Sequence, residues 1–268
     1  MTWLVGALLA LLVTTSAFSK QLLSLDGAIA AFFIGWIIFS VGQIPFSVPI
    51  LAFFILSSLL SRIGGTQKMA VQRVFQKSSR RDAGQVLANG AVPLLLLLYW
   101  QRSPSPFGFY LYLAAIASAT ADTWATEIGV LSKSPPRFIL NLRKAPSGTS
   151  GAVSLLGLAS ALLGAFAVSA VGFVVAAAFS LVPFRWWYLL VLTAAGFLAQ
   201  IVDSLLGASL QGLYRCANCN RISEKKMHCQ GHQASHISGW KWVNNDIVNV
   251  TSNVFGVLLC WIGVEVLL

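Results

Sequence analysis

The sequence predicts an all-α, polytopic membrane helical bundle, and three observations carry that prediction. The composition is 57% hydrophobic and only 10% charged, against about a quarter charged in soluble domains. Apolar stretches recur that are long enough to cross a hydrocarbon core, which takes roughly 20 residues. The basic residues gather in three loops instead of spreading over a surface. Together these exclude an ordinary soluble enzyme, and the sequence contains no nucleic-acid-binding module.

Eight candidate spans follow in order: 3–19, 26–42, 44–61, 85–100, 107–130, 151–175, 186–210 and 246–267. The first lacks a basic leader and a small-residue cleavage site, so it reads as a helix and not as a signal peptide. The second and third are joined only by "GQIPF", which makes them a tight hairpin or one broken element, and the total seven or eight. The chain forms a single integral-membrane domain, 1–268, with a distinct loop at 211–245 between the last two spans. Residues 62–84 carry six Lys or Arg, 131–150 carry four and 211–245 carry five. Opposite-side loops hold only Arg102 and Arg185. Positive charge marks the cytoplasmic side, so the three long loops face the cytoplasm and both termini lie outside. In a bacterium the membrane would be the plasma membrane.

The eight acidic residues are the next signal. Asp122, Glu127, Asp203 and Asp246 fall within predicted spans or at their cytoplasmic ends, in "ADTWATEIG", "VDSLLGASLQ" and "NNDIVNVTSN". A carboxylate in a membrane helix costs at least about 2.5 kcal/mol unless it is paired, hydrated or metal-bound. Four in one bundle repel one another unless a cation or a proton is shared. The five-residue offset puts Asp122 and Glu127 about 140° apart on a helix, so they need not face one partner. Asn245 and Asn249 share a face, and Asp246 lies three residues before Asn249, giving an amide–carboxylate–amide surface. Interhelical hydrogen bonding that merely holds the bundle together is the alternative for each acid.

Two loops supply what a phosphate needs. "SSRRDAGQVLANG" brings Arg80, Arg81 and Asp82 just before a helix that carries Asn89. "APSGTSGAVS" is a glycine-rich turn, with Gly148, Thr149 and Ser150, expected to open the next helix beside Lys144. Backbone N–H groups and the positive dipole end at such a place suit anions. Carboxylates with substrate phosphate oxygens are the ligand set Mg²⁺ prefers. The expected partners are therefore a nucleoside triphosphate, a phosphorylated lipid and the membrane itself. The acids sit in the helices because the substrate sits in the membrane.

These phrases, with "GQVLANG" and "GTSGAVS", resemble the membrane family typed by transmembrane protein nineteen, also called domain of unknown function ninety-two. The resemblance runs from about residue 20 to the C-terminus and rests on several separated motifs. That family includes the plant phytyl-phosphate kinase of tocopherol synthesis, which makes phytyl diphosphate from the monophosphate. More distantly, "ADT", "GTSG" and "VDS" resemble the pattern of CTP-dependent polyprenol kinases and phosphatidate cytidylyltransferases. What the resemblance implies is Asp122, Asp203 and Asp246 as Mg²⁺ ligands, Gly148, Thr149 and Ser150 around phosphate, and CTP as the donor.

A separate segment, "CANCNRISEKKMHCQGHQASH", holds all three histidines and three of the four cysteines. Cys216 and Cys219 form C-x-x-C, a usual first half of a tetrahedral Zn²⁺ site. Cys229 and one histidine, His232 ahead of His228 or His236, complete the expected set. This reads as a structural zinc clip that folds a cytoplasmic loop, against a redox pair or unrelated thiols.

The function the sequence predicts is a Mg²⁺-dependent membrane kinase that phosphorylates a prenyl monophosphate, of phytyl or geranylgeranyl type, to the diphosphate. Asp122, Asp203, Asp246, Arg80 and Arg81 are its expected catalytic residues. Asp82, Asn89, Glu127, Lys144, Gly148, Thr149, Ser150, Asn245 and Asn249 are expected to bind substrate or nucleotide. Within the same class stand a prenol kinase and a cytidylyltransferase. From other classes stand a secondary transporter of a phosphorylated lipid and, last, an aspartyl intramembrane protease.

Overall fold

The fold is described from a computed structural model, which covers residues 2–65, 68, 80–182, 185–220, 222–224, 226–229 and 231–267. The basic-loop residues Arg73, Lys77, Arg221 and Lys225 lie outside these described residues. Eight helices are seen among them: α1 (Trp3–Ser19), α2 (Leu25–Val41), α3 (Gln43–Arg62), α4 (Ala83–Arg102), α5 (Pro106–Gly129), α6 (Leu155–Ala178), α7 (Trp186–Ser209) and α8 (Asn245–Leu267).

Five of them, α3, α4, α6, α7 and α8, are long and apolar enough to cross a membrane by length and composition. The eight predicted spans are thus met in part. Helices α1 and α2 are apolar but have only 17 residues each. Helix α5 has 24 residues and is diluted by Ser, Thr and two acids, because it is sheathed in protein instead of lipid. Every residue from Gly108 to Ala121 is buried, and a helix buried all round needs no polar face.

Small residues permit that sheathing. Helix α5 packs against α3, α4, α6, α7 and α8. A Cβ added at Gly196 of α7 would stand 2.9 Å from the backbone carbonyl carbon of Ala117, and one at Gly164 of α6 would stand 2.9 Å from the Trp124 indole. At Gly256 of α8 it would run into Ser118. Close backbone approach through small residues is how membrane helices associate when lipid is as apolar as the side chains. Two of the hydroxyls that α5 buries are satisfied within it, Ser118 donating to Ala114 O at 2.8 Å and Thr120 to Ile116 O at 2.7 Å, while Tyr112 donates to Phe46 O of α3 at 2.6 Å.

Local signals explain the helix ends. Ser24, Asp82, Ser105 and Ser154 each accept a backbone N–H of the turn they open. Helices α2 and α3 meet at Gly42 with no connecting loop, and the tight corner is completed by Gln43 at φ +52°. The starts of α2 and α4 are laced together: Arg81 N donates to Leu22 O at 3.0 Å, Ser24 N to Arg81 O at 3.1 Å and Ala83 N to Asp26 Oδ2 at 3.1 Å.

Helix α6 begins at Leu155, not at 151 as expected. The residues after the glycine turn form a short strand instead, β2 (Ala152–Val153), paired antiparallel with β1 (Arg137–Phe138). The turn therefore does not itself open the helix; Ser154 does. Between α7 and α8, β3 (Leu213–Arg215) is flanked by β4 (Ile222–Ser223) and β7 (Ser235–Ser238), while β5 (Met227–His228) pairs with β6 (His232–Gln233). This loop is a small folded unit on one end of the bundle.

Candidate functional site

One end of the bundle encloses a polar cavity of about 220 Å³. Each of the three long loops contributes to its wall: Lys68 from the first, Ser147 to Val153 from the second and Glu224 from the third. The remaining wall comes from Arg81, Gln85 and Asn89 at the start of α4, from the last turns of α5, from Gln200, Asp203 and Ser204 of α7, and from Asn245 and Asn249 of α8.

The two carboxylates of α5 both line this cavity but belong to different parts of it. Glu127 accepts from Lys68 Nζ at 2.6 Å and from Ser61 Oγ at 2.6 Å. The Lys68 ammonium is almost wholly buried, at 4% exposure against 20% for Glu127, and also donates to Leu60 O at 2.6 Å. Asp122 lies instead on the side of Asp203, close enough for their charges to act on one another. The angular offset along α5 thus separates a neutralised carboxylate from one that faces another acid.

Asp203 is held by α8. Ser252 Oγ donates to its Oδ2 at 3.0 Å. The Asn249 amide, in the orientation its neighbours require, donates to the same Oδ2 at 3.1 Å and to Asn245 O at 3.1 Å. Gln200, one turn earlier on α7, donates to Ser204 at 2.9 Å, and its Oε1 is buried with no hydrogen-bond partner among the described residues. That amide oxygen lines the same cavity as the carboxylates, and oxygen donors are the kind that hard divalent cations prefer.

The glycine turn lies against the end of α7, the helix that carries Asp203. Gly148 and Gly151 have φ of +83° and +74°, a region where a side chain is strained. Ser150 Oγ donates to Gln211 Oε1 at 2.9 Å, and Thr149 Oγ1 donates to Pro146 O at 2.8 Å. A Cβ at Gly151 would meet the Ala208 backbone nitrogen at 2.6 Å. The turn is thereby fixed, and its residues 147–151 all line the cavity. Arg81 donates from Nη1 to Ser58 Oγ at 3.1 Å, with its guanidinium over the Phe53 and Phe54 rings. Burial lowers its pKa, and the Glu127 carboxylate opposes that shift.

Of the predicted site residues, the structure brings together Arg81, Asn89, Asp122, Glu127, Gly148, Thr149, Ser150, Asp203, Asn245 and Asn249. Four others lie outside the lining and have structural engagements. Asp82 caps α4, accepting from Gln85 N at 3.0 Å in a capping box. Arg80 turns away, donating from Nη2 to Leu23 O at 3.2 Å and lying over the Phe18 ring. Lys144 is exposed beside the β1–β2 pair. Asp246 is half-buried in the first turn of α8, where an acid suits the helix dipole.

Sequence reasoning missed Lys68, Gln85, Gln200 and Glu224. Gln200 stands three residues before Asp203 on one helical face, so its period could have revealed it. Glu224 had no local signal; its position depends on how the third loop folds.

That folding involves the cysteines. Ligand atoms of Cys216, Cys219 and Cys229 lie within 4.8 Å of one another. Cys216 follows β3, Cys219 lies in the turn toward β4, and Cys229 sits at φ +47° between β5 and β6. Hydrogen bonding with Cys219, then with Cys216, and burial push the Cys229 thiol up to about 11. His232, the expected fourth ligand, is exposed on β6 and does not join this cluster among the described residues; the β5–β6 register sets it opposite His228.

Comparison with known proteins identifies the chain at the family level. The profile of the family described as integral membrane protein DUF92 matches residues 8–257. The chain belongs to that family. An uncharacterized membrane protein of Methanocaldococcus jannaschii is 32% identical over 209 residues, 76% of this chain and 80% of its own. Protein PGR of Arabidopsis thaliana is 28% identical over 260 residues, covering 90% and 88%. Protein VTE6, chloroplastic, of the same plant is 26% identical over 240 residues, covering 87% of this chain and 63% of its own. No solved structure matches the chain significantly.

The Lys68–Glu127 pair should be a strong determinant of stability. Lys68→Met alone leaves Glu127 without its cation, a loss of up to about 3–5 kcal/mol for a wholly buried pair, and less here because Glu127 is 20% exposed. Adding Glu127→Gln should recover most of that loss. Unfolding midpoints of the four proteins in detergent give the coupling; strictly additive effects would contradict the pairing.

Proposed function

We propose that the chain is a phosphotransferase of the prenyl-phosphate kinase type, transferring a phosphoryl group from a nucleoside triphosphate to a prenyl monophosphate. The single observation that carries this reading is one cavity, at the end of a membrane bundle, lined by buried acids and by a fixed glycine turn together. The motif resemblance to the family that includes phytyl-phosphate kinase supports it, and the chain's membership of the DUF92 family and likeness to Protein VTE6 are consistent with it.

In this reading the donor's phosphates lie along the turn of Gly148, Thr149 and Ser150. Asp122 and Asp203, with the free oxygen of Gln200 and the carboxylate of Glu224, are the groups suited to hold Mg²⁺. A bound Mg²⁺ would neutralise donor phosphate charge and withdraw electrons from the transferred phosphorus. Asn249 and Ser252 hold the Asp203 carboxylate, while Asn245 and Gln85 orient substrate oxygens. Arg81 holds the acceptor phosphate. An acceptor phosphate oxygen attacks, a P–O bond to it forms, and the bond to the leaving nucleoside diphosphate breaks. The acceptor is already anionic, so positioning and charge suffice and no strong base is required. CTP is the donor that the more distant resemblance favours. The basic loops around the cavity favour a cytoplasmic active face.

The same proposal assigns Zn²⁺ to Cys216, Cys219 and Cys229 with one histidine, as a clip that sets Glu224 at the cavity. Thiolates at C-x-x-C spacing fit that ion. Elemental analysis of the purified protein should find one zinc per chain, lost in Cys216→Ser. Absence of zinc from protein prepared without chelators would overturn the assignment.

The reaction is tested by product analysis. Detergent-purified protein is supplied with Mg²⁺, each common triphosphate, and phytyl or geranylgeranyl monophosphate, and lipid products are identified by mass. A prenyl diphosphate is expected, falling by at least about a hundredfold in Asp122→Asn and Asp203→Asn, the scale of losing one electrostatic partner of the reaction. A cytidylylated lipid would change the reaction class. Wild-type turnover in both variants would remove the acids from the mechanism.

A further inference from the structure

A second cavity adjoins the first. It has a volume of about 100 Å³ and lies among α1, α2, α3 and α4. Its wall is almost wholly apolar, built from Val13, Ala31, Ile34, Phe39, Ile50 and Phe53 among others. The one hydroxyl in it, Thr14 Oγ1, is already spent on Ala10 O at 2.8 Å. Nothing in the groove therefore asks for a polar occupant. Yet three residues line both cavities: Arg81, Gln85 and Asn89. The groove thus runs from the half-buried Arg81 at its polar end into an apolar slot. Ala31, Ile50, Leu51 and Phe54 in its wall are only half-buried, and Leu25, Ile29, Phe33 and Ile55 nearby are exposed. Its far side therefore opens on the face of the bundle that meets lipid.

An occupant must match all three features at once: an anionic head at Arg81, an apolar segment next to it, and a continuation into the bilayer. We propose that this groove binds the head-proximal chain of a single-chain isoprenoid phosphate, with its phosphate at Arg81, Gln85 and Asn89. The proposal rests on the phosphotransfer reading for the isoprenoid nature of the chain and for the fate of the phosphate; the groove itself calls for a single-chain lipid phosphate. The enclosed volume is smaller than the roughly 150 Å³ cavity that holds benzene. It takes in only the first few carbons, so the remaining chain lies in the membrane and its length is weakly read. An enclosed volume of about 100 Å³ holds the first carbons of one chain, and the second acyl chain of a glycerophospholipid would have to stay outside it.

Photolabelling tests this without requiring turnover. Geranylgeranyl monophosphate carrying a photoreactive diazirine near its phosphate is crosslinked to the purified protein, and labelled peptides are mapped. Labels are expected on α1, α2 and α3. They should fall at least tenfold with Ala31→Trp, which fills the slot, with thermal stability as the folding control. They should fall similarly with Arg81→Gln. Unlabelled phosphatidic acid should compete poorly, and the corresponding prenol without phosphate should label weakly. Labels confined to α6, α7 or α8, or equal labelling by the prenol, would overturn the proposal. So would effective competition by phosphatidic acid. Site-specific labelling without any prenyl diphosphate product would uphold the groove and overturn the kinase. Product formation unaltered by a folded Ala31→Trp protein would do the reverse.

Discussion

The close approach of neighbouring helices to α5 is the constraint on which the remaining structure depends. Glycines on α6, α7 and α8 put backbone where a side chain would collide with Ala117, Ser118 or Trp124. Packed so tightly, α5 excludes lipid along its buried length and brings its last two turns to the centre of one end of the bundle. Asp122 and Glu127 can occupy such a place because protein, not hydrocarbon, surrounds them. A carboxylate facing lipid has no donor available; one inside the bundle has serines, amides and cations within reach.

The cavity separates charge by wall. Glu127 is neutralised by Lys68, and that pair adjoins Arg81. Asp122, Asp203 and Glu224 sit where their charges interact, and Asp203 is oriented by two donors from α8. In the proposed reading the acids take a cation, and the glycine turn, fixed against the end of α7, takes phosphate beside it. The acidic wall is assembled from elements remote in sequence: α5, α7 and the cysteine-bearing loop. Their agreement on one cavity is hard to explain as bundle packing alone.

Much of this was legible in the residues. Helix limits fell within a few residues of the expected spans, and five of the helices open at a Ser, Thr or Asp whose side chain caps the first turn. The clustering of acids at one end was legible for a related reason: acids are so costly in spans that their positions carry information. Less legible was what a residue does once a neighbour is present. Asp82 looks like a ligand beside two arginines, yet its spacing to Gln85 makes it a capping box. Arg80 and Arg81 are adjacent, but lacing between the α2 and α4 starts turns only Arg81 into the cavity. The helix expected to begin at the glycine turn starts at Ser154, since the β1–β2 pairing takes up the residues between. Lys68 and Glu224 come from long loops whose folding is set by tertiary contacts, and no local pattern announces them.

The central claim is that Asp122 and Asp203 share one divalent cation in a phosphate-binding cavity. Equilibrium binding of Mn²⁺, followed by electron paramagnetic resonance on the detergent-purified protein with and without a triphosphate, tests it most directly. One site per chain is expected, tightened by triphosphate and lost in either Asp122→Asn or Asp203→Asn while both variants remain folded. Manganese binding that persists unchanged in both variants would contradict the account.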